Sequence, residues 1–324
     1  MKPTVLCMDL RNRRPRPSVE PPAPAVLCLG NFDGVHLAHA ALLRAGRKLA
    51  DDLNAANPDS PPLLCGAFCF LSPSGDYFLK ENTRPTHLTT LEERLHLLQD
   101  LNVDLVWLCD FPEVQNLSPE DFLNLLQSRC GCVGVACGYN HRFGKGALGS
   151  PDLLVKTFGA DRTAILPAFE IDGIPVSSSR IRACLHSGDM ETAAKLLGRP
   201  YFLEARVVHG KSLGHTWGFP TANQSFPDDR LIPAHGVYAV LCHTHKGIFP
   251  GVANVGLRPT VEHPGRVNCE THIIGYSGDL YEQVLKIEFL KFLRPEQKFD
   301  SVEALTAAIR RDTKAAADYI LGQP

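Results

Sequence analysis

A short polar stretch, residues 29–39 (LGNFDGVHLAH), constrains the fold more than any other part of the chain. The run before it, residues 25–29, is wholly apolar and predicts a buried strand, and apolar residues recur at helical spacing after it, over 42–49. In a strand–turn–helix unit, the free N–H groups and the positive dipole end of the helix face the turn and favour a phosphate there. The sequence therefore predicts an anion-binding turn.

Two histidines belong to this turn. His36 and His39 are three residues apart, so they share one face of a first helical turn. Such a pair can bind a triphosphate and neutralise the charge that builds on a leaving oxygen. The same spacing is also typical of a surface pair or of a hydrogen-bonded pair without function. Gly30, Asp33 and Gly34 on the same turn favour the functional interpretation.

The first half of the chain alternates apolar strands with amphipathic helices. One helix is predicted over 91–101, capped by Thr89 or Thr90, and another opens at Ser118, where serine, proline and two acids follow one another. This alternation predicts an α/β fold with a parallel sheet, whose ligands bind beyond the carboxyl ends of the strands. The predicted strands are 25–29, 63–71, 103–108 and 132–137.

The pattern changes near Pro200. Strand-like runs separated by glycine and proline, without intervening helices, predict a small antiparallel β-barrel followed by a helix over 302–321. We place the domain boundary after Cys184, which gives an irregular segment (1–24), a first domain (25–184) and a second domain (185–324). Short helices are predicted at 181–186 and 190–197, and strands at 202–208, 236–242, 251–255, 269–274 and 284–289.

The composition is that of a soluble globular protein of 324 residues, long enough for two domains. A net charge of −2 gives no electrostatic basis for binding nucleic acid or a membrane surface, and no apolar run is long enough to span a bilayer. The N-terminus lacks a signal-peptide pattern, which favours a cytoplasmic location. Eleven cysteines without a CxxC pair favour buried free thiols over disulfides or zinc.

Residues 205–212 (ARVVHGKS) match a relaxed P-loop pattern, which requires a helix directly after the lysine. Gly214, Gly218 and Pro220 follow that lysine and prevent such a helix. The P-loop interpretation is therefore rejected.

Three motifs of the first domain resemble those of the bifunctional riboflavin kinase/FAD synthetase family of bacteria. Residues 30–39, GNFDGVHLAH, resemble the family's GNFDGVHxGH signature. Residues 138–144, GYNHRFG, resemble its G-x-[DN]-F-x-F-G loop, and residues 176–182, VSSSRIR, resemble its I-S-S-[ST]-x-I-R signature. Two positions depart from the family: Ala38 replaces a glycine, and residues 70–74, FLSPS, lack the histidine of F-x-P-H-P.

The resemblance implies that the first domain transfers AMP from ATP to the phosphate of FMN and releases pyrophosphate. Positioning and charge neutralisation dominate such a reaction. It implies that His36 and His39 act on the triphosphate and that Mg²⁺ accompanies ATP. The other residues implied to bind nucleotide or phosphate are Gly30, Asn31, Asp33, Gly34, Asn140, Ser178 and Arg180.

The second domain resembles the riboflavin kinase half of the same family. Residues 210–223, GKSLGHTWGFPTAN, resemble G-x-x-x-G-R-x-x-G-F-P-T-A-N, with His215 in place of the arginine. Residues 251–260, GVANVGLRPT, resemble G-V-x-N-I-G-x-R-P-T, and residues 292–294 match the family's closing segment. Glu270 falls at the position of the family's catalytic carboxylate.

This second resemblance implies that ATP phosphorylates riboflavin to FMN, with Glu270 accepting the proton of the attacking ribityl hydroxyl. Thr221 and Asn223 offer the hard oxygen donors that suit Mg²⁺ and the γ-phosphate. Glycines in the first motif allow close approach of the backbone to phosphates. The implied phosphate contacts are Gly210, Lys211, Gly214, Thr221 and Asn223, and the implied flavin contacts are Asn254, Arg258 and Arg294.

Two alternatives stay open at this point. The departures at Ala38 and at residues 70–74 allow a riboflavin kinase whose adenylyltransferase domain is impaired. A non-enzymatic flavin-binding regulator with the same fold is the other alternative, against which the intact Thr221, Asn223 and Glu270 argue. The expected partners are riboflavin, FMN, FAD and ATP, and the sequence gives no oligomeric state.

Overall fold

The computed structural model describes residues 5–9, 11, 17–18, 20–72, 87–210, 218–257 and 267–322. The chain separates into two compact units, Met1–Ser178 and Ser179–Pro324. Several predictions lie outside the described residues, namely those for residues 73–74, Lys211, Gly214, His215 and Arg258.

The first unit is built on a seven-stranded sheet over its described residues. In chain order the strands are β1 Val5–Asp9, β2 Pro17–Ser18, β3 Ala25–Leu29, β4 Leu64–Phe70, β5 Leu105–Cys109, β6 Cys132–Gly138 and β7 Thr163–Leu166. Their order across the sheet is β2-β1-β5-β4-β3-β6-β7. Across the sheet, the adjacent strands β5, β4, β3, β6 and β7 are parallel to one another. β1 is antiparallel to both of its neighbours, β2 and β5. The carboxyl ends of β3, β4 and β6 therefore share one edge, as the sequence predicts.

Helices cover both faces of this sheet. Every residue of β3 is buried, with Leu27 and Trp107 in the core on one face and Cys28 and Leu43 in the core on the other. A strand buried on both faces is uniformly apolar, which explains the pattern of 25–29. The helices are α1 Leu37–Ala56, α2 Leu91–Asp100, α3 Phe111–Val114, α4 Pro119–Cys130 and α5 Pro151–Phe158, followed by a hairpin of β8 Glu170–Ile171 and β9 Ile174–Pro175.

The caps predicted for two helices are present. Thr90, rather than Thr89, caps α2 in a reciprocal capping box with Glu93. Ser118 caps α4 by accepting a hydrogen bond from the N–H of Asp121 at 3.0 Å. Each cap fixes where a helix begins, and the residues just before α2 contact the turn that follows β3.

The N-terminal region differs from the prediction of an irregular segment over residues 1–24. β1 pairs with β5 along five residues, and Cys7 at its centre is fully buried. The arginine- and proline-rich residues that follow conceal this short strand in the sequence. An antiparallel strand at the edge of a parallel sheet needs no crossover helix, so the neighbouring sequence contains no helical pattern that would indicate the strand.

The second unit is an antiparallel sheet with a C-terminal helix, as predicted. The sheet order is β10-β15-β12-β13-β14-β11. Its two edges approach each other, because Val208 bridges to Asn223 and Gln224 Nε2 donates to the carbonyl oxygens of Ala205 and Leu285, both at 2.7 Å. The elements are α6 Ser178–Ser187, α7 Met190–Leu197, β10 Tyr201–Arg206, β11 Thr221–Ser225, β12 Gly236–Thr244, β13 Gly247–Leu257, β14 Val267–Ile273, β15 Val284–Pro295 and α8 Val302–Leu321.

Two candidate active sites

The turn after β3 adopts an unusual backbone. Phe32 and Val35 have positive φ angles of 52° and 39°, and Gly34 has a φ of 81°. Such conformations are costly for residues with a Cβ and persist only where the surroundings enforce them. The side chain of Phe32 is fully buried, and the Val35 N–H donates to the Phe32 carbonyl oxygen at 3.1 Å. The core thus forces the turn into a shape that local preference alone would not select.

Asp33 ties this turn to the start of α2. Its carboxylate is buried and accepts from the N–H groups of Leu88 and Thr89 at 2.9 and 3.2 Å. In return, Thr89 Oγ1 accepts from the N–H of Gly34 at 3.1 Å. The Ser178 hydroxyl donates to the carbonyl oxygen of Asp33 at 3.0 Å. These contacts give Asp33 and Ser178 roles in shaping the turn, whatever they contribute to substrate positioning.

Arg94 on α2 braces the same edge of the sheet. Its guanidinium donates to the carbonyl oxygens of Asn31 at 3.0 Å, Phe70 at 2.9 Å and Leu71 at 2.8 Å. The residue is 3% exposed. The rigid fork of arginine presents donors on separate nitrogens and so reaches carbonyl groups that lie apart, whereas a lysine carries its three donors on one nitrogen. Arg94 therefore links the turn after β3 to the end of β4.

His36 and His39 lie together at the start of α1, as predicted. Their rings stack with centroids 3.6 Å apart and planes 11° from parallel. His36 is the N-cap of α1, and its Nδ1 accepts from the backbone N–H of His39 at 3.3 Å. The first N–H groups of a helix have no acceptor within the helix. The two stacked imidazoles therefore lie at the N-terminal end of α1, where the helix dipole is positive.

The electrostatic environment of His39 favours the neutral ring in the free protein. Burial, the neighbouring His36 and the guanidinium of Arg94 hold the pKa of His39 well below its usual range. The buried Nδ1 of His39 has no hydrogen-bond partner among the described residues. An anion bound here would favour protonation, because an opposite charge nearby stabilises the cationic imidazolium. The site is thus suited to neutralise negative charge when a phosphate arrives.

Two other predicted phosphate contacts lie on neighbouring elements. Asn140 is exposed just beyond the carboxyl end of β6, the strand next to β3. His141 follows it, and burial lowers the pKa of this imidazole to about 4. Arg180 lies in the first turn of α6, which belongs to the second unit. The first unit itself therefore brings together the glycine turn, the histidine pair and Ser178, with Asn140 at the adjacent strand end.

The second candidate site is one face of three adjacent strands. Glu270 on β14 pairs with Asn223 on β11 and with Asn254 on β13, while Thr221 pairs with His272. Directly paired residues project from the same face of an antiparallel sheet, and so do residues two apart on one strand. Four predicted residues that are distant in sequence, Thr221, Asn223, Asn254 and Glu270, thus share one face.

Asn223 is held in a fixed orientation on this face. It is 6% exposed, its Nδ2 donates to the carbonyl oxygen of Thr221 at 3.3 Å, and its Oδ1 accepts from Asn268 Nδ2 at 3.1 Å. Gly210 lies against it so closely that a Cβ at position 210 would be 2.6 Å from Asn223 Nδ2. The predicted close approach at Gly210 is therefore to a site side chain of the protein itself.

A cavity of about 500 Å³ lies beside the same strands, within the described part of the second unit. Its lining residues Ala222, Thr271 and Ile273 alternate with the site residues along β11 and β14, so they face the opposite side of the sheet. Thr221 lines it, whereas Glu270 is not among its lining residues. At one side His209 stacks on Tyr281 with ring centroids 3.8 Å apart. The volume is in the range of small-molecule pockets. The other lining residues are Val207, Pro220, Tyr276, Ser277, Gly278, Asp279, Leu280 and Tyr281.

Arg294 and Asn254 have partners of their own. The Arg294 guanidinium forms a forked ion pair with Asp312 on α8, at 2.8 to 3.2 Å, and also donates to the Pro295 carbonyl oxygen. Asn254 Nδ2 donates to Glu296 at 3.2 Å. The described contacts of Arg294 thus anchor α8 to the sheet, and its flavin contact stays a prediction.

Sequence reasoning missed two residues that organise these sites, Arg94 and Asn268. Arg94 stands within a predicted amphipathic helix, where an arginine is usually solvent-exposed, and the only available signal was its place on the apolar face beside Leu95 and Leu98. Asn268 precedes Glu270 by two residues, which places both side chains on one face of a strand. That periodicity was the available signal.

Comparisons with known proteins match both units. A model of the FAD synthetase family matches residues 19–180, and a model of the riboflavin kinase family matches residues 197–320. A Bacillus subtilis protein named bifunctional riboflavin kinase/FMN adenylyltransferase is 32% identical over 308 residues, which cover 93% of this chain and 94% of the relative. An Escherichia coli K12 protein of the same name is 35% identical over 309 residues, which cover 93% of this chain and 95% of the relative.

A solved structure supports the same architecture. The crystal structure of a Streptococcus pneumoniae protein, described as a macrolide-efflux protein, superposes with a TM-score of 0.82 at 27% identity, over 93% of this chain and 96% of the other. Among the described residues of the present chain, no helix combines the length and apolar character needed to cross a bilayer.

Proposed function

This chain belongs to the family of bifunctional riboflavin kinase/FMN adenylyltransferases, and we propose that each of its two activities resides in one of the two predicted domains. The first domain (25–184) adenylylates FMN to FAD, and the second (185–324) phosphorylates riboflavin to FMN. The two reactions need separate pockets, because one attacks the α-phosphorus of ATP and the other the γ-phosphorus. Riboflavin, FMN, FAD and ATP are the substrates and products, and the cytoplasm is the proposed location.

In the proposed adenylyl transfer, a phosphate oxygen of FMN attacks the α-phosphorus of ATP and pyrophosphate leaves. The chain supplies no covalent nucleophile, and catalysis comes from positioning and charge stabilisation. His36 and His39 donate hydrogen bonds to the triphosphate and stabilise the charge on the leaving oxygens. Gly30, Asn31 and Gly34 form the turn that cradles it, and Arg94 and Asp33 hold that turn in shape. Asn140, Ser178 and Arg180 remain proposed substrate contacts.

In the proposed kinase reaction, the 5′-hydroxyl of riboflavin attacks the γ-phosphorus of ATP and ADP leaves. Glu270 accepts the hydroxyl proton as the P–O bond forms. Thr221 and Asn223 hold the phosphate end of the nucleotide, and Gly210, Lys211 and Gly214 are further proposed phosphate contacts. Asn254, Arg258 and Arg294 are the proposed flavin contacts.

The donor set at Thr221 and Asn223 fits Mg²⁺, which the family's use of ATP implies. Both residues offer neutral oxygens, and Mg²⁺ usually takes one or two protein oxygens together with substrate phosphates. Within the described residues there is no group of three or more His, Cys, Asp or Glu side chains that would bind a metal without substrate. When bound with ATP, the ion would reduce the negative charge of the phosphates.

The observation that carries the kinase assignment is the pairing of Glu270 with Asn223 across β11 and β14. It joins a candidate base to a candidate phosphate ligand from different motifs. The test is a flavin product assay on Glu270→Gln and His39→Gln, with riboflavin or FMN supplied separately. We expect Glu270→Gln to lose FMN formation and keep FAD formation from FMN, and His39→Gln to do the reverse. Parallel loss of both activities in either variant would refute separate sites.

A further inference from the structure

Asn268 lies on the same face of β14 as Glu270, two residues before it, yet no motif of the sequence includes it. It is 5% exposed. Burial of a carboxamide costs free energy unless its polar atoms are hydrogen-bonded. Its contacts therefore indicate what the residue does.

The Nδ2 of Asn268 donates to two residues of the proposed kinase site. It reaches Asn223 Oδ1 at 3.1 Å and Glu270 Oε1 at 3.4 Å. The first bond fixes the orientation of the Asn223 amide, because its Nδ2 at the other end donates to the Thr221 carbonyl oxygen. Asn223 thus presents its oxygen, not its N–H group, toward the Asn268 amide, which also bonds Glu270.

The other end of Asn268 is unsatisfied. Its Oδ1 is buried and has no hydrogen-bond partner in the described part of the chain. Leaving a buried acceptor unpaired is unfavourable, and an apolar side chain would fill this position without that penalty. The value of an asparagine here consequently lies in its two donated hydrogen bonds and not in packing.

We propose that Asn268 is a positioning residue of the kinase site, which orients Asn223 and Glu270 toward each other through one shared amide. This inference rests on the proposed function of the second unit. By occupying Glu270 Oε1, Asn268 leaves Oε2 to accept the hydroxyl proton of riboflavin. By fixing the Asn223 amide, it keeps Oδ1 directed at the phosphate end of the nucleotide. Asn268 itself touches no reacting atom.

The chain offers a closely matched control, Gln224 on β11. Its Nε2 also donates to two acceptors, the carbonyl oxygens of Ala205 and Leu285, and its Oε1 is likewise buried without a partner among described residues. Because it neighbours Asn223 in sequence, it faces the opposite side of the strand. Asn268→Leu and Gln224→Leu therefore each replace a buried carboxamide by an apolar side chain, and only the first removes it from the proposed site.

The experiment compares these two variants in the full-length protein. For Asn268→Leu we expect kcat for FMN formation to fall about tenfold to a hundredfold, the range for loss of an outer hydrogen-bond partner, with KM for riboflavin changed less than twofold. Calorimetric titration with ADP should show that Mg²⁺ strengthens binding less in Asn268→Leu than in the wild type. For Gln224→Leu we expect a lower melting temperature. Mg²⁺ should strengthen its ADP binding as much as in the wild type, and its kcat for FMN formation should stay within threefold of the wild type.

Equal losses of kcat in the two variants, or an unchanged kcat in Asn268→Leu, would overturn the inference. Glu270→Gln separates this failure from failure of the proposed function. If Glu270→Gln abolishes FMN formation while Asn268→Leu has no effect, only the positioning role is wrong. If Glu270→Gln retains full FMN formation, the kinase site itself is misassigned.

Discussion

Arg94 donates from Nη1 to the carbonyl oxygen of Asn31 at 3.0 Å, which joins α2 to the turn that carries the histidine pair. The same guanidinium also holds the residues at the end of β4. Because Arg94 is buried, its charge also acts on His39 and contributes to the lowered pKa of that ring. One side chain thus braces the turn and also contributes, after burial and the neighbouring His36, to the lowered pKa of His39.

Replacing Arg94 by lysine should impair FAD synthesis selectively. Arg94 bonds Asn31 through Nη1 and the end of β4 through Nη2, whereas a lysine carries all its donors on one nitrogen, so the turn at Asn31 should lose its brace. We expect FAD formation from supplied FMN to fall at least about tenfold, since small misplacements of substrate are costly, with FMN formation unchanged. Arg47→Lys is the control, because Arg47 pairs with Asp104 in the same unit. Normal FAD synthesis in Arg94→Lys would contradict this role.

The methyl group of Ala38 lies in the first turn of α1, between the two histidines in sequence. If it crowds the nucleotide, Ala38→Gly should preserve or raise the rate of FAD formation. The backbone cost of glycine in a helix, about 1 kcal/mol, should lower the melting temperature slightly. The measurement is kcat/KM for ATP in the FMN adenylylation assay. A clear fall in kcat/KM would show that the alanine methyl is not an obstacle.

His141 should make the stability of the first unit pH-dependent. Burial lowers the pKa of His141 to about 4 from an ordinary 6.5. Between these two pH values the unfolded chain therefore binds a proton at His141 and the folded chain does not. The free energy of unfolding should therefore fall by on the order of 3 kcal/mol between pH 6.5 and 4, and be insensitive to His141 above pH 6.5. His39 contributes in the same direction.

Denaturation in urea, followed by the fluorescence of the buried Trp107 in a Trp217→Phe background, measures this effect. His141→Phe is the comparison, because it fills a similar space without a titratable group. We expect the variant to lose much less stability on acidification than its parent. Parallel pH profiles of the two proteins would contradict the assignment of this effect to His141.

Adding a methyl group at Gly210 should damage the kinase site alone. The new Cβ would be 2.6 Å from Asn223 Nδ2, so the Asn223 side chain must move. We expect Gly210→Ala to reduce FMN formation about tenfold or more, and conversion of FMN to FAD to continue at the normal rate. The product assay with each flavin supplied in turn makes the comparison. Unchanged FMN formation would mean that the position of Asn223 is unimportant.

The ion pair between Arg294 and Asp312 should stabilise the second unit. Both side chains are largely buried, at 23% and 11% exposure, so removing one charge leaves the other unpaired. We expect Asp312→Asn to lower the free energy of unfolding by about 3 kcal/mol. Glu282→Gln breaks the exposed pair with Arg206 and should cost less than about 1 kcal/mol. Similar losses in both variants would show that burial does not strengthen the Arg294 pair.

Local patterns predicted much of the fold. The uniformly apolar β3 and the cap at Ser118 depend on residues within a few positions of one another, and the structure confirms both. β1 escaped prediction because its pairing with β5 spans about a hundred residues and leaves no local signal. The predicted site residues were found by their motifs, and their individual roles stay predictions.

The sequence by itself determined the alternation of the central strands and helices, the change from an α/β unit to an antiparallel sheet, and the motifs that bear chemistry. Only the tertiary structure decided that Arg94 braces the nucleotide turn, that Arg294 pairs with Asp312, and that Asn268 joins Asn223 to Glu270. The physical reason is the separation along the chain of the residues that interact. Periodicity and caps act within a few residues, whereas the hydrogen bonds of buried polar groups depend on partners that the chain brings together only when it folds.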